Sequence, residues 1–306
     1  MVSAIGRLEH SPAFSYDNLQ IRGDTVATAT KTGVCVAKIT PDNSFHAVAF
    51  KVLVSETSDQ HVYGAYVLGD EIYPHIAVCM AGSMEIYTHD LSSRVFSLVI
   101  DAEKERSYMP KYRQLYATTI LENSGLVFVG LSSGSVHVVE TSPAFVPAAS
   151  FSPDITGLSG SVAGFVATPN GVIAVSSAGQ SAIVSATTAT PGPDLGLAPL
   201  CLAPALANGK LVLGCQDGTV CLVSPDGTGS VSIPSHTSPV LAVATVGTLF
   251  ASAGGDGVVR VTDPTGPSSV LVERVYDGML CGVQFMPERQ VAVAVCDSIL
   301  VPIYMY

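Results

Sequence analysis

Hydrophobic residues along this chain come in short bursts of four to seven, rich in Val, Ile, Leu and Ala, and the gaps between bursts are filled by Gly, Asp, Asn and Ser. Apolar runs of that length bounded by turn formers predict strands and hairpins, because a helix needs a longer stretch with a 3.6-residue period. The clearest unit covers residues 238–264, SPVLAVATVGTLFASAGGDGVVRVTDP: a strand, a short turn, a second strand FASA, a Gly-Asp-Gly turn and a third strand VVRVT. The same order recurs over 199–226 and 116–141 and from Met279 to the end, and more faintly from Leu19, Ala65 and Ala163. Fourth strands are predicted after most of these, at Phe45, Arg94, Phe145, Ser230 and Val270; the fourth strand of the unit from Ala163 is poorly marked, since TATPGPDLGLA carries several Gly and Pro.

The central turns, at Gly33, Gly82, Gly134, Gly179, Gly218, Gly257 and Ser298, lie 39 to 52 residues apart. That period suits a four-stranded propeller blade of roughly 40–45 residues. The expectation is an all-β chain forming one domain over 1–306, a single seven-bladed β-propeller of four-stranded antiparallel blades. The last unit has only three strands, and a ring with an open seam would leave two unpaired strand edges. The segment from Ser3 to Glu9, SAIGRLE, is expected to supply the missing strand and close the last blade.

Composition narrows the function. The chain holds 14 Lys and Arg against 25 Asp and Glu, a net charge of −11 that repels phosphate backbones and anionic lipid, so neither nucleic acid nor membrane is an expected partner. Seven cysteines form no C-x-x-C pair, and most sit in apolar runs where Cys acts as a small hydrophobe. With no signal-like segment at the start, this points to a reducing, cytoplasmic location. A cytoskeletal or ciliary setting is conceivable for such scaffolds, but no residue selects it.

On these residues the repeats resemble the WD-repeat (WD40) family, most strongly in residues 238–264 and the loop before them. The resemblance implies a hydrogen-bonded set within a blade, in which His236, Ser252, Asp256 and Thr262 occupy the places of the family's His, Ser, Asp and Trp. The chain has no Trp, so Thr262 stands where Trp would and the full set cannot form. Other blades keep less, with Asp217 and Asp297 as turn acids and no matching His. The closing stretch, LVERVYDGMLCGVQFMPERQVAVAVCDSILVPIY, is also similar to the end of one little-studied member. For the family, the resemblance implies a protein-binding propeller.

Candidate chemistry is sparse. Gly130-Leu131-Ser132-Ser133-Gly134 fits the G-x-S-x-G nucleophile elbow, but that motif needs a strand-to-helix turn, whereas here it joins two strands. His236, Ser252 and Asp256 could be read as a Ser-His-Asp triad, although the repeat explains them as a structural set. His75 and Cys79 lie too far apart on a strand to share an ion. No phosphate-binding loop is present, and no catalytic residue, metal or cofactor is expected.

What remains is surface. The loop from Asp101 to Leu115, DAEKERSYMPKYRQL, mixes a basic cluster with aromatic residues, the types enriched in binding hot spots. Arg106, Tyr108, Lys111, Tyr112 and Arg113 are the candidate partner-binding residues. The expected function is a non-catalytic protein-interaction scaffold, a monomeric propeller working within a larger intracellular assembly with other proteins. The alternatives are a substrate receptor of a ubiquitin ligase, for which Thr265 stands where an Arg would be informative, and a propeller enzyme.

Overall fold

In the computed structural model the described residues are 6–7, 16–41, 45–55, 61–70, 74–109, 114–169, 171–203, 206, 208–266, 269–275, 277–286, 290–295 and 299–304. They form antiparallel strands almost throughout. The N-terminal strand β1 (Gly6–Arg7) is followed by six sheets, each made of four consecutive strands. The first is β2 (Gln20–Arg22), β3 (Thr25–Ala29), β4 (Gly33–Ile39) and β5 (Phe45–Val52); the second is β6 (Val62–Leu68), β7 (His75–Met80), β8 (Ser83–Thr88) and β9 (Arg94–Val99). A short helix, α1 (Ala102–Arg106), leads into the third, β10 (Ala117–Asn123), β11 (Leu126–Leu131), β12 (Val136–Glu140) and β13 (Val146–Phe151). After α2 (Pro153–Thr156) come β14 (Val162–Thr168), β15 (Gly171–Ser176), β16 (Gln180–Val184) and β17 (Ala189–Asp194). The fifth sheet is β18 (Pro199–Ala203), β19 (Leu211–Cys215), β20 (Thr219–Val223) and β21 (Val231–Pro234), and the sixth is β22 (Val240–Val246), β23 (Leu249–Gly254), β24 (Val258–Thr262) and β25 (Ser269–Arg274).

The expectation of a seven-bladed propeller, its last blade closed by a strand over Ser3–Glu9, needs correction in the number of blades and in the length of that strand. Six blades are complete stacks of consecutive strands. The remaining sheet is a composite in which β26 (Leu280–Met286), β27 (Gln290–Val295) and β28 (Ile299–Tyr304) are joined by β1 from the other end of the chain. Only Gly6 and Arg7 pair there, with Leu300 and Ile299, so the closing strand is two residues long, and the rest of 3–9, like Cys296, Asp297 and the turn at Ser298, lies outside the described residues. Chain direction explains the difference: a blade of consecutive strands is held by hairpins, whereas a strand donated from the far end has only its ladder bonds.

The sheets pack face to face, and each buried apolar cluster is shared between two neighbours around the ring. Val127, Val129 and Leu131 of the third sheet meet Ala77, Met84 and Ile86 of the second, and Leu19 and Val26 of the first meet Cys281 and Met286 of the composite sheet. Fully burying a Leu or Val stabilises by about 1.5–3 kcal/mol, so the interfaces between blades hold the ring together. Outer strands are different: Val52, Val99 and Val272 are exposed. That solvated edge is why β17 forms despite Pro191 and Pro193, since a proline on an edge strand forfeits only an N–H that would face water.

Candidate functional site

In a stack of antiparallel strands, the start of the first strand and the turn between the second and third strands lie at the same end. His236 and Asp256 of the sixth blade, and Arg106 and Tyr108 ahead of the third, gather at that end of the ring.

In the sixth blade, His236 Nδ1 lies 3.0 Å from Asp256 Oδ1 and His236 Nε2 lies 2.9 Å from Ser252 Oγ. The amides of Thr237 and Val258 also donate to the Asp256 carboxylate. Burial holds His236 below its ordinary pKa against the pull of Asp256. The neutral imidazole therefore donates from Nδ1 to the carboxylate and accepts the Ser252 hydroxyl proton at Nε2. Burial alone would raise the Asp256 carboxyl, but the Thr237 amide, the imidazole and the Val258 amide together hold it low. These contacts match the order of a Ser-His-Asp triad, but Ser252 and the His236 side chain are both fully buried, so no acyl carbon can reach the hydroxyl. Gly254 is required beside them: a Cβ there would stand 2.5 Å from His236 Nδ1 and 2.6 Å from Asp256 Oδ1. Thr262 pairs with Phe250 across β23 and β24 and is not among the partners of this set.

The third blade holds an arrangement that sequence reasoning missed. Asp101 caps α1 by accepting from the amides of Glu103 and Lys104. The helix so started turns Glu105 inward until it is 2% exposed, with Ser133 and Ser135 each donating a hydroxyl to Oε2 at 2.6 Å. His137 Nε2 stands 3.7 Å from Oε1. Burial opposes ionisation of Glu105, yet His137 and the two serines hold it below its ordinary pKa. The G-x-S-x-G segment is thus a strand-to-strand turn whose Ser132, in the nucleophile's place, donates to Gln114 O instead of to an imidazole base and accepts from the Tyr116 amide, while Ser133 donates to Glu105. A signal for this was present: Ser133 and Ser135 in the turn and His137 on β12 alternate along the chain, three polar groups at a period of two leading into an otherwise apolar strand.

With Glu105 buried, Lys104 and Arg106 are exposed. Tyr108, half-buried, donates its hydroxyl to Asp154 of α2 at 3.0 Å. Lys111, Tyr112 and Arg113 lie outside the described residues.

Between the inner strands a funnel of about 620 Å³ opens at this same end, with an adjoining hollow of about 500 Å³ that shares Tyr16, Ser177 and Leu200 with it. Its shape comes from a repeated backbone irregularity. The inner strands β6, β10, β14, β18, β22 and β26 each lose register after their first residue, leaving Tyr63, Thr118, Ala163, Leu200, Leu241 and Cys281 as the extra residues. A bulge re-aims a side chain, and the first five of these line the funnel or its adjoining hollow. Tyr63 stacks on Tyr116 with ring centroids 3.8 Å apart. The first blade has no such register shift at β2; there Asp17 takes a left-handed backbone at φ 54° and reaches into the funnel.

No family model matches the chain, and no curated protein matches it in sequence. Solved structures do share its architecture. A chain in the crystal structure of a mitotic checkpoint complex superposes with a TM-score of 0.73 over 100% of this chain and 96% of that one, at 14% identity. This is the β-propeller fold. The computationally designed Ika8 protein superposes with a TM-score of 0.62 over 98% of this propeller and 100% of its own chain, at 16% identity. At such identities the likeness establishes the propeller fold alone. No helix among the described residues is long and apolar enough to cross a membrane.

Proposed function

We propose that this propeller is a non-catalytic protein-interaction scaffold of the WD-repeat type, working as a single propeller within a larger cytoplasmic assembly. The closing stretch of the chain, similar to that of WD repeat protein fifty-four, supports a divergent member of that family. The observation that carries the reading is the anchoring of α1. A buried Glu105 bound by two serines fixes an exposed helix over the third blade, presenting Arg106 and Tyr108 at the funnel end. Pre-ordering a basic and aromatic surface lowers the entropy cost of docking a partner. The hydrogen-bonded groups found in blades three and six are buried, and their roles are accounted for by holding loops in place.

The test is affinity purification of the tagged chain at physiological salt, beside a variant with Arg106, Tyr108, Lys111, Tyr112 and Arg113 replaced by Ala. Stoichiometric protein partners present with the wild type and lost with the variant, at unchanged thermal midpoint, are the expected result. Recovery of no protein partner in either sample overturns the scaffold reading.

A further inference from the structure

The funnel contains one group that its surroundings leave unsatisfied. Asp17 is partly exposed as a residue, but its Oδ1 is sealed from solvent and has no hydrogen-bond partner among the described residues. A buried acceptor without a donor costs free energy comparable to a lost hydrogen bond, and the left-handed backbone at Asp17 adds strain. The surrounding bonds hold it there. Its own amide donates to Leu241 O of the sixth blade at 2.9 Å, and the Asn18 amide donates to Cys281 O at 2.8 Å. Asn18 also exchanges two side-chain bonds with the backbone of Ala29.

The rest of the wall fits a particular ligand chemistry. Asp17 is the one acidic residue among the described residues lining the funnel, and no Lys, Arg or His stands among them to pair with its ionised form. Around it stand the rings of Tyr16, Tyr63, Tyr66 and Tyr116. An aromatic face carries negative potential that attracts cations, and a sealed carboxylate oxygen lacks a donor. An anion would meet Asp17 and find no positive group.

We propose that the funnel binds an organic cation, an ammonium or guanidinium group, whose N–H donors meet the Asp17 carboxylate between the tyrosine rings. The cation comes either from a free amine or from a Lys or Arg side chain of a partner protein. This inference does not rest on the scaffold reading, because a small cation tests it directly.

Binding is coupled to a proton. Burial raises the Asp17 carboxyl to about 8, so in the empty funnel at neutral pH it is mostly protonated, and a cation must displace that proton. The groups that face it, Tyr66 on β6 and Cys201 on β18, are themselves pushed well up by burial and stay neutral through this range. Affinity for a permanent cation therefore rises with pH up to about 8 and levels above it, at about tenfold per unit on the steep part.

Calorimetric titration of the full chain with butylguanidinium, with the tripeptide acetyl-Ala-Arg-Ala-amide, and with neutral pentanamide tests this. Saturable 1:1 binding of at least one cation, no binding of pentanamide, and at least a tenfold loss in Asp17→Asn are expected. Tighter binding of butylguanidinium identifies a free cation as the ligand class; tighter binding of the tripeptide identifies a partner's side chain. Absence of binding by both cations overturns the proposal, as does equal affinity for a folded Asp17→Asn chain. If Asp17→Asn does not fold, the pH profile of the wild type decides, and an affinity that is flat between pH 6 and 8 overturns it.

Discussion

His236 shows how one buried side chain sets the pH response of a blade. Its pKa is lowered on folding, so the unfolded chain binds more protons near the ordinary histidine value of 6.5, and the stability this group contributes is present above 6.5 and lost as pH falls through the lower folded value. Asp256 is also lowered, and acts in the same direction at more acidic pH. Between pH 7 and pH 5 this lowers the urea midpoint, against the opposite contribution of Asp17, whose raised carboxyl is there protonated in the folded chain and ionised in the unfolded one; the midpoint of His236→Gln should therefore fall less, or rise more, than that of the wild type as pH drops from 7 to 5. Asp256→Ala should cost about 1–3 kcal/mol at pH 7, because it leaves the buried imidazole and the Thr237 amide without their acceptor; denaturant titration checks it. His236, Ser252 and Asp256 were legible in the sequence, since their types and spacing fit one repeat. Asp17 was not: it lies just ahead of the first complete unit, and its importance comes from a cavity to which each blade contributes only one or a few residues.

At the scale of elements, α1 is expected to depend on Glu105 more than on its own five residues, which are too few to be stable alone. Glu105→Ala removes the shared acceptor of Ser133 and Ser135, at a cost of about 1–3 kcal/mol. The helix should then detach, and trypsin should cleave after Lys104 and Arg106 faster than in the wild type; an unchanged rate would show that the carboxylate does not hold α1. The strands themselves were readable because alternation and turn residues act locally. The helix was not: a glutamate in a run of charged residues looks solvated until its serine partners, 28 and 30 residues onward, are seen to reach it. The outer strand with Pro191 was obscured for a related reason, because the tolerance of an edge for proline belongs to the sheet and not to the segment.

For the whole molecule, the ring is joined where the first blade meets the composite sheet. Gly282 allows that contact, since a Cβ there would stand 2.5 Å from Leu19 Cβ and 2.9 Å from Leu19 N. Gly282→Val should lower stability by about 1–3 kcal/mol or more, because backbone must move to admit it; a thermal midpoint equal to wild type would contradict a closed junction. The repeat made a ring of four-stranded blades legible, and the missing fourth strand of the last unit pointed to the segment that holds β1, but not to a strand of only two residues, since pairing between chain ends leaves no local pattern.

The central claim is that this propeller binds protein partners at the funnel end, through α1 and the loops beside it. Hydrogen–deuterium exchange of the purified chain, alone and with its copurifying partner, tests this most directly. The account expects new protection in 102–109 and 153–157 and at the starts of the inner strands β10 and β14, with the exposed outer strands unchanged. Protection confined to the outer strands β5, β9 and β25, with α1 exchanging as in the free chain, would contradict it.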